Sequence, residues 1–259
     1  MLAIEGLTKR FGGVAAIDGV TLDFPDGALA AVIGPNGAGK STFFNLISGA
    51  IVPDAGRVLL DGHDIAGESR AAIVRRGIGR AFQVASIFPT MTVAENLMAA
   101  IAAHRGQWSA IGRRFPPPGA RSRALEVASL LGLETRADTV ASRLSHGDQK
   151  LLDIALALAL EPRVLLLDEP TAGMGPEERW RMIEKVRRLW ESERLTLVFI
   201  EHDMDIVFSV AASISVLCYG RLLARGTPDE IRADPAVIEA YLGVAHDASD
   251  ASDAPGAPA

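Results

Sequence analysis

The sequence predicts an α/β fold with a mostly parallel sheet, an antiparallel β subdomain and a helical subdomain at about residues 84–160. Three patterns lead there. Short strand-like runs broken by turns fill the opening of the chain. From about Val84 to Leu144 the pattern turns helical. Apolar strands then return at VLLLDE, Val164 to Glu169, and at TLVFIEH, Thr196 to His202, with an amphipathic segment between them. Strand, helix, strand is the order of parallel pairing.

LAIEGL, VTLDF and LAAVIG, separated by FGG and PDG, read as an antiparallel edge feeding a buried strand. KSTFFNLIS follows as a helix ending at Gly49, with Phe43, Phe44 and Ile47 on one face. RVLL and DGHDI form a second hairpin-like pair. VAENLMAAIAAH and RALEVASLLGL are the helices of the helical subdomain, joined by the solvated connection GRRFPPPGARSR. In PEERWRMIEKVRRLWES, proline opens a helix, acids occupy its first turn, and Trp180, Ile183, Val186 and Trp190 form the expected apolar stripe. SISVLCY and RLLARG predict a closing hairpin, followed by two short helices ending near Gly243. The domain is expected to span 1–243. The acidic, apolar-poor tail, 244–259, is expected to be disordered.

At 259 residues the chain is long enough for a full core. Its start lacks the pattern of a secretory leader, and no apolar run approaches the roughly 20 residues that span a bilayer. This predicts a cytosolic protein that is not itself membrane-embedded. The single cysteine, Cys218, rules out an intrachain disulfide and reads as an inert strand thiol. A net charge of −6 argues against a general nucleic-acid binder, although Arg75, Arg76 and Arg80 could form a local basic patch.

GPNGAGKST comprises Gly34, Pro35, Asn36, Gly37, Ala38, Gly39, Lys40, Ser41 and Thr42. It matches GxxxxGK[ST] between a strand and a helix, as in the core of P-loop NTPases. The glycines let successive N–H groups curl around phosphate oxygens, and the helix N-terminus adds partial positive charge. Lys40 would bridge the β- and γ-phosphates of ATP, and Ser41 would hold Mg²⁺. VLLLDE ends in two carboxylates at the sheet edge where such folds open their ligand crevice. Asp168 is expected to orient the Mg²⁺ shell, and Glu169 to activate or position the attacking water. His202, ending the next strand, should reach the γ-phosphate and Glu169. Asp203 is expected as a helix N-cap, and Glu201 is assigned no part in the chemistry. LSHGDQK opens the run LLDIALALALEP, and Ser145 with Asp148 fits a capping box.

GPNGAGKST, Gln83 in GRAFQV, LSHGDQK, VLLLDEP and the histidine of IEHD occur in that order over nearly all of 1–243. Together they resemble the nucleotide-binding subunit of ABC transporters. KRFGG, RAFQ, MTVAENLMAA and RGTPDEIRADPAVIEAYLG are similar to the LivG-type subunit of branched-chain amino acid importers.

The resemblance implies the ABC ATPase architecture and a head-to-tail dimer that sandwiches two ATP molecules between the P-loop of one subunit and the signature loop of the other. Leu144, Ser145, His146, Gly147 and Asp148 would be that signature, with Ser145 and Gly147 meeting the γ-phosphate in trans. Phe11 would stack on adenine. Gln83 would touch Mg²⁺ or its water and link the site to the helical subdomain. The implied partners are a second ATPase subunit, identical or LivF-like, two membrane permease subunits contacted through Ala85, Ser86, Ile87 and Phe88, and indirectly a substrate-binding protein. No nucleic acid is expected. The implied location is the cytoplasmic face of the cell membrane, held peripherally by the permease.

Other readings are the ATPase of a lipopolysaccharide-type exporter, a soluble non-transport ABC ATPase, and a nucleotide-gated binding module without turnover. The soluble kind usually carries a long coiled coil or two nucleotide domains, neither of which is seen here. Asp168, Glu169 and His202 argue against the module. Two departures from the family pattern stand out: LSHGD where LSGGQ is usual, and AGMG where SALD is usual, so Gly175 has no side chain to reach across a dimer. Asp148 is expected to cap its own helix, pointing away from phosphate, and hydrolysis is expected to survive both changes.

Overall fold

A computed structural model describes residues 1–81, 87–106 and 116–241. Gln83, Ala85 and Ser86 fall outside the described residues, as do part of the proline-rich connection and the tail.

Strands β1 (Leu2–Phe11) and β2 (Val14–Phe24) pair antiparallel around a tight turn. Strand β3 (Leu29–Ile33) is buried along its whole length and leads through the glycine loop into α1 (Lys40–Ile47). Next come β4 (Ala55–Leu60), the two-residue β5 (His63–Asp64), α2 (Arg70–Arg76) and β6 (Ile78–Ala81). Helices α3 (Val93–His104), α4 (Ala120–Leu130) and α5 (His146–Leu158) form the helical region. The chain then runs through β7 (Val164–Asp168), α6 (Pro176–Glu193), β8 (Thr196–Ile200) and α7 (Met204–Val210). It continues with β9 (Ser213–Cys218), β10 (Arg221–Gly226), α8 (Pro228–Ala233) and a last helical stretch over 235–241.

Two sheets result. One has the order β2-β1-β4-β5 and is antiparallel; the other has the order β10-β9-β3-β8-β7-β6, parallel except at β10. The α/β class with an antiparallel sheet and a helical region is therefore as expected from the sequence. Central strands of the parallel sheet alternate between two cores: Val164 and Leu166 join Phe43, Phe44 and the antiparallel sheet, while Leu165 and Leu167 join α3 to α6. A strand covered on both faces has no solvent side, which is why VLLL, Val164 to Leu167, is apolar without interruption. Phe43 and Phe44 are fully buried and anchor α1, each contributing roughly 1.5–3 kcal/mol of transfer free energy.

Two local expectations are corrected, and two short elements have no counterpart in the sequence reading. Trp180 is exposed, and the buried stripe of α6 is Met182, Ile183, Val186 and Leu189, with Trp190 half-buried and donating from its indole N–H to the Gly27 carbonyl at 2.9 Å. The short α2 and β6 carry too few apolar residues for periodicity to reveal them. Arg80 is no surface cation. It lies on β6 with its side chain buried at 7% exposure. Among the described residues, no helix is long and apolar enough to cross a membrane.

Candidate functional site

Parallel pairing brings the chemistry-bearing ends of three strands to one edge. Val32 of β3 and Asp168 of β7 both stand level with Ile200 of β8, so the glycine loop, Glu169 and His202 leave the sheet side by side. The loop is held from behind. Gly39, at φ 100, is the N-cap of α1, and a Cβ there would collide with the Ala16 carbonyl; a Cβ on Gly34 would meet the Leu217 carbonyl. Gly39 offers α1 no side-chain cap, so the first-turn N–H groups are left for another acceptor.

Around that helix end lies a cavity of about 280 Å³ lined by Ala16, Asn36, Gly37, Ala38, Gly39, Lys40, Ser41, Thr42, Glu169 and His202. Its wall thus combines a helix N-terminus, a lysine, two hydroxyls, a carboxylate and an imidazole. The Lys40 ammonium folds back to donate to the carbonyls of Gly34 at 2.7 Å and Pro35 at 3.1 Å. Burial lowers its pKa, against the opposing pull of the Glu169 and Asp168 charges. An arriving polyphosphate would offer this cation better acceptors than two neutral carbonyls.

Glu169 stands at φ 51, in the left-handed region that non-glycine residues enter rarely. Its Oε1 lies 2.7 Å from His202 Nε2. Asp168 sits behind the cavity wall, its carboxylate accepting from the Arg80 guanidinium at 2.7 Å. Arg80 also donates to Asn45 Oδ1 at 2.8 Å and Ser48 Oγ at 2.9 Å on the helix that carries the loop. Proximity in sequence groups Arg80 with Arg75 and Arg76, whereas the fold makes it the partner of Asp168.

Phe11 ends β1 half-exposed, with the Lys9 ammonium 5.7 Å from its ring centroid, outside the cavity lining. Ile87 packs on the helical core, and Phe88 is exposed.

The signature residues lie elsewhere in the same chain. Ser145, Gly147 and Asp148 line a separate hollow of about 240 Å³ with Leu151, Glu178, Arg181, Met182 and Lys185. Ser145 is the N-cap of α5 and accepts from the Asp148 N–H at 3.1 Å, as a helix start should. The expectation that the Asp148 carboxylate caps its own helix is corrected: it forms an ion pair at 3.3 Å with Arg136, twelve positions upstream, and the capping box is not completed. Leu144 is buried, and exposed His146 lies against Gly173 in the loop after β7. Gly175 is the N-cap of α6 without a side-chain bond.

Two further buried charges surround the site. Lys150 of α5 donates to the Glu169 carbonyl at 3.0 Å. Glu201, 3% exposed, accepts from the Thr171 N–H and hydroxyl at 2.9 and 2.6 Å. Asp203 caps α7 through the Ile206 N–H, as expected.

A family model described as ABC transporter matches residues 17–172, and one described as branched-chain amino acid ATP-binding cassette transporter matches residues 221–247. The high-affinity branched-chain amino acid transport ATP-binding protein LivG of Salmonella typhimurium is 39% identical over 253 residues, covering 95% of this chain and 98% of that one. The ADP conformation of an ATP-binding cassette of an ABC transporter superposes with a TM-score of 0.83 at 32% identity, over 94% of this chain and 98% of the other. A dimeric cassette in a post-hydrolysis state, bound to ADP and Pi, gives a TM-score of 0.73 at 26% identity, over 88% of this chain and 99% of its own.

Proposed function

This chain belongs to the ABC transporter ATP-binding family, and on that premise we propose that it is the Mg²⁺-dependent, ATP-hydrolysing subunit of an importer of branched-chain amino acids. The observation that carries the ATPase reading is the cavity itself: a glycine loop and helix N-terminus that accept phosphates, faced by Glu169 held 2.7 Å from His202. The likeness to LivG and the match over 221–247 support the choice of solute class.

In this reading the loop from Gly34 to Thr42 wraps the phosphates, Lys40 turns from its own carbonyls to them, and Phe11 stacks on adenine. Glu169 orients or deprotonates the attacking water, and His202 holds Glu169 and touches the γ-phosphate. Ser41 lines the cavity with a hydroxyl, a hard oxygen donor of the kind Mg²⁺ takes alongside substrate phosphates; the Asp168 carboxylate, paired with Arg80 behind the wall, would hold the cation's outer shell, and Gln83 would join them. When bound, the cation offsets the negative charge of the phosphate oxygens.

The signature residues line a hollow other than the phosphate cavity, which suits a second subunit, identical or LivF-like, whose signature loop would complete each site. The dimeric form of the similar cassette supports this pairing. Two permease subunits would dock near Ile87 and Phe88 and hold the chain at the cytoplasmic face of the membrane, with a substrate-binding protein delivering solute from the other side.

The test is reconstitution of the chain with its co-purifying permease in vesicles. ATP hydrolysis and accumulation of leucine, isoleucine or valine are expected together. Hydrolysis without such accumulation would overturn the solute class, and no hydrolysis would overturn the ATPase reading.

A further inference from the structure

We propose that Lys150 is a positioning residue for Glu169, tying the signature helix of a chain to that same chain's own hydrolytic carboxylate. The inference rests on the function proposed above. Lys150 lies five residues after Ser145 on α5, about 7.5 Å further along the helix. Its side chain is buried, and its ammonium reaches across to β7 to donate to the Glu169 carbonyl at 3.0 Å.

Glu169 needs such a hold. Its backbone at φ 51 is strained and persists only where surrounding bonds over-determine it. Its N–H donates to the Ile200 carbonyl at 3.0 Å, and its carbonyl accepts from the Ala172 N–H at 3.1 Å as well as from Lys150. These bonds fix the direction in which the carboxylate leaves the strand, toward His202.

The cation is set among acids. Burial lowers the Lys150 pKa, and the charges of Glu201, Glu169 and Asp153 oppose that shift. Glu201 in turn accepts from Thr171 in the loop after Glu169 and from the His202 N–H at 3.2 Å. One buried cluster thereby joins α5, the end of β7 and the end of β8. Packing alone does not call for a lysine here, because an apolar residue of similar size stabilises a core at least as well as a buried ion. The arrangement suits transmission: a movement of the α5 N-terminus on meeting a partner's nucleotide passes along a rigid helix to the backbone that aims Glu169.

The test compares K150M and K150R in the full-length chain reconstituted with its permease, reading ATP affinity with a fluorescent nucleotide and steady-state turnover. For K150M, Kd and KM should stay within about twofold of the unsubstituted chain while kcat falls at least about tenfold, the signature of lost transition-state positioning. K150R, which keeps charge and donor, should restore kcat to within about threefold on the same grounds. Unchanged kcat in K150M would overturn the proposal. So would a parallel loss of affinity, or no rescue by arginine, since either means general damage. Should K150M fail to fold, K150M/E201Q removes one of the buried acids that face the lost cation and carries the same expectation. Absence of turnover in the unsubstituted chain would instead overturn the proposed function on which this rests.

Discussion

Arg80 and Asp168, 88 residues apart in sequence, form an ion pair at 2.7 Å with side chains only 7% and 8% exposed. A pair this buried is costly to break from one side, because the remaining charge loses its hydrogen-bonded partner without gaining water. Arg80→Met should therefore lower unfolding stability by about 3–5 kcal/mol, measured by urea denaturation of nucleotide-free protein. The double variant R80M/D168L should recover part of that loss, though not all, since the bonds from Arg80 to Asn45 and Ser48 go as well. A double variant no more stable than R80M would show that the pair is not the source of the cost.

Glu169→Gln keeps size and one acceptor but removes the base. Nucleotide affinity should be retained, turnover should fall by roughly 10²–10⁴-fold, and ATP-bound dimers should accumulate on gel filtration. Hydrolysis at the unsubstituted rate would remove Glu169 from its proposed role.

Lys40→Ala deletes the cation that lines the cavity and donates to the Gly34 and Pro35 carbonyls. A charge-assisted hydrogen bond contributes about 1.5–3 kcal/mol, so nucleotide affinity should drop on the order of tenfold to a hundredfold by equilibrium binding. Undiminished affinity would mean that the phosphate cradle is elsewhere.

Tyr241, in the last helical stretch, supplies a pH dependence. Burial pushes its phenol from 10.0 up to about 12, with the Gly34 backbone opposing. A raised folded pKa contributes stability that is complete below the unfolded value and is lost as pH rises through the folded one. Stability should therefore decline between about pH 10 and pH 12 more steeply in the unsubstituted chain than in Tyr241→Phe. Parallel pH profiles for the two proteins would refute the assignment.

Whatever is encoded contiguously is legible in the chain alone. GPNGAGKST is legible because phosphate wrapping needs glycine at set places between a strand and a helix. VLLLDE and TLVFIEH are legible because a strand covered on both faces must be apolar until it emerges, and what emerges faces the ligand edge. The helix start at Ser145 and the cap at Asp203 belong to the same class, each settled within three residues.

Tertiary structure alone decided the partners of buried and half-buried charges. Nothing near Arg80 in sequence points to Asp168, nothing near Lys150 to the Glu169 carbonyl, and nothing near Glu201 to Thr171, which it holds. Asp148 turned to Arg136 for the same reason. Periodicity reports which face of an element is apolar, whereas the pairing of a polar group depends on which strand or helix the fold brings within about 3 Å. That distance is set by parallel register and helix packing over the whole chain, and no local stretch of sequence contains it.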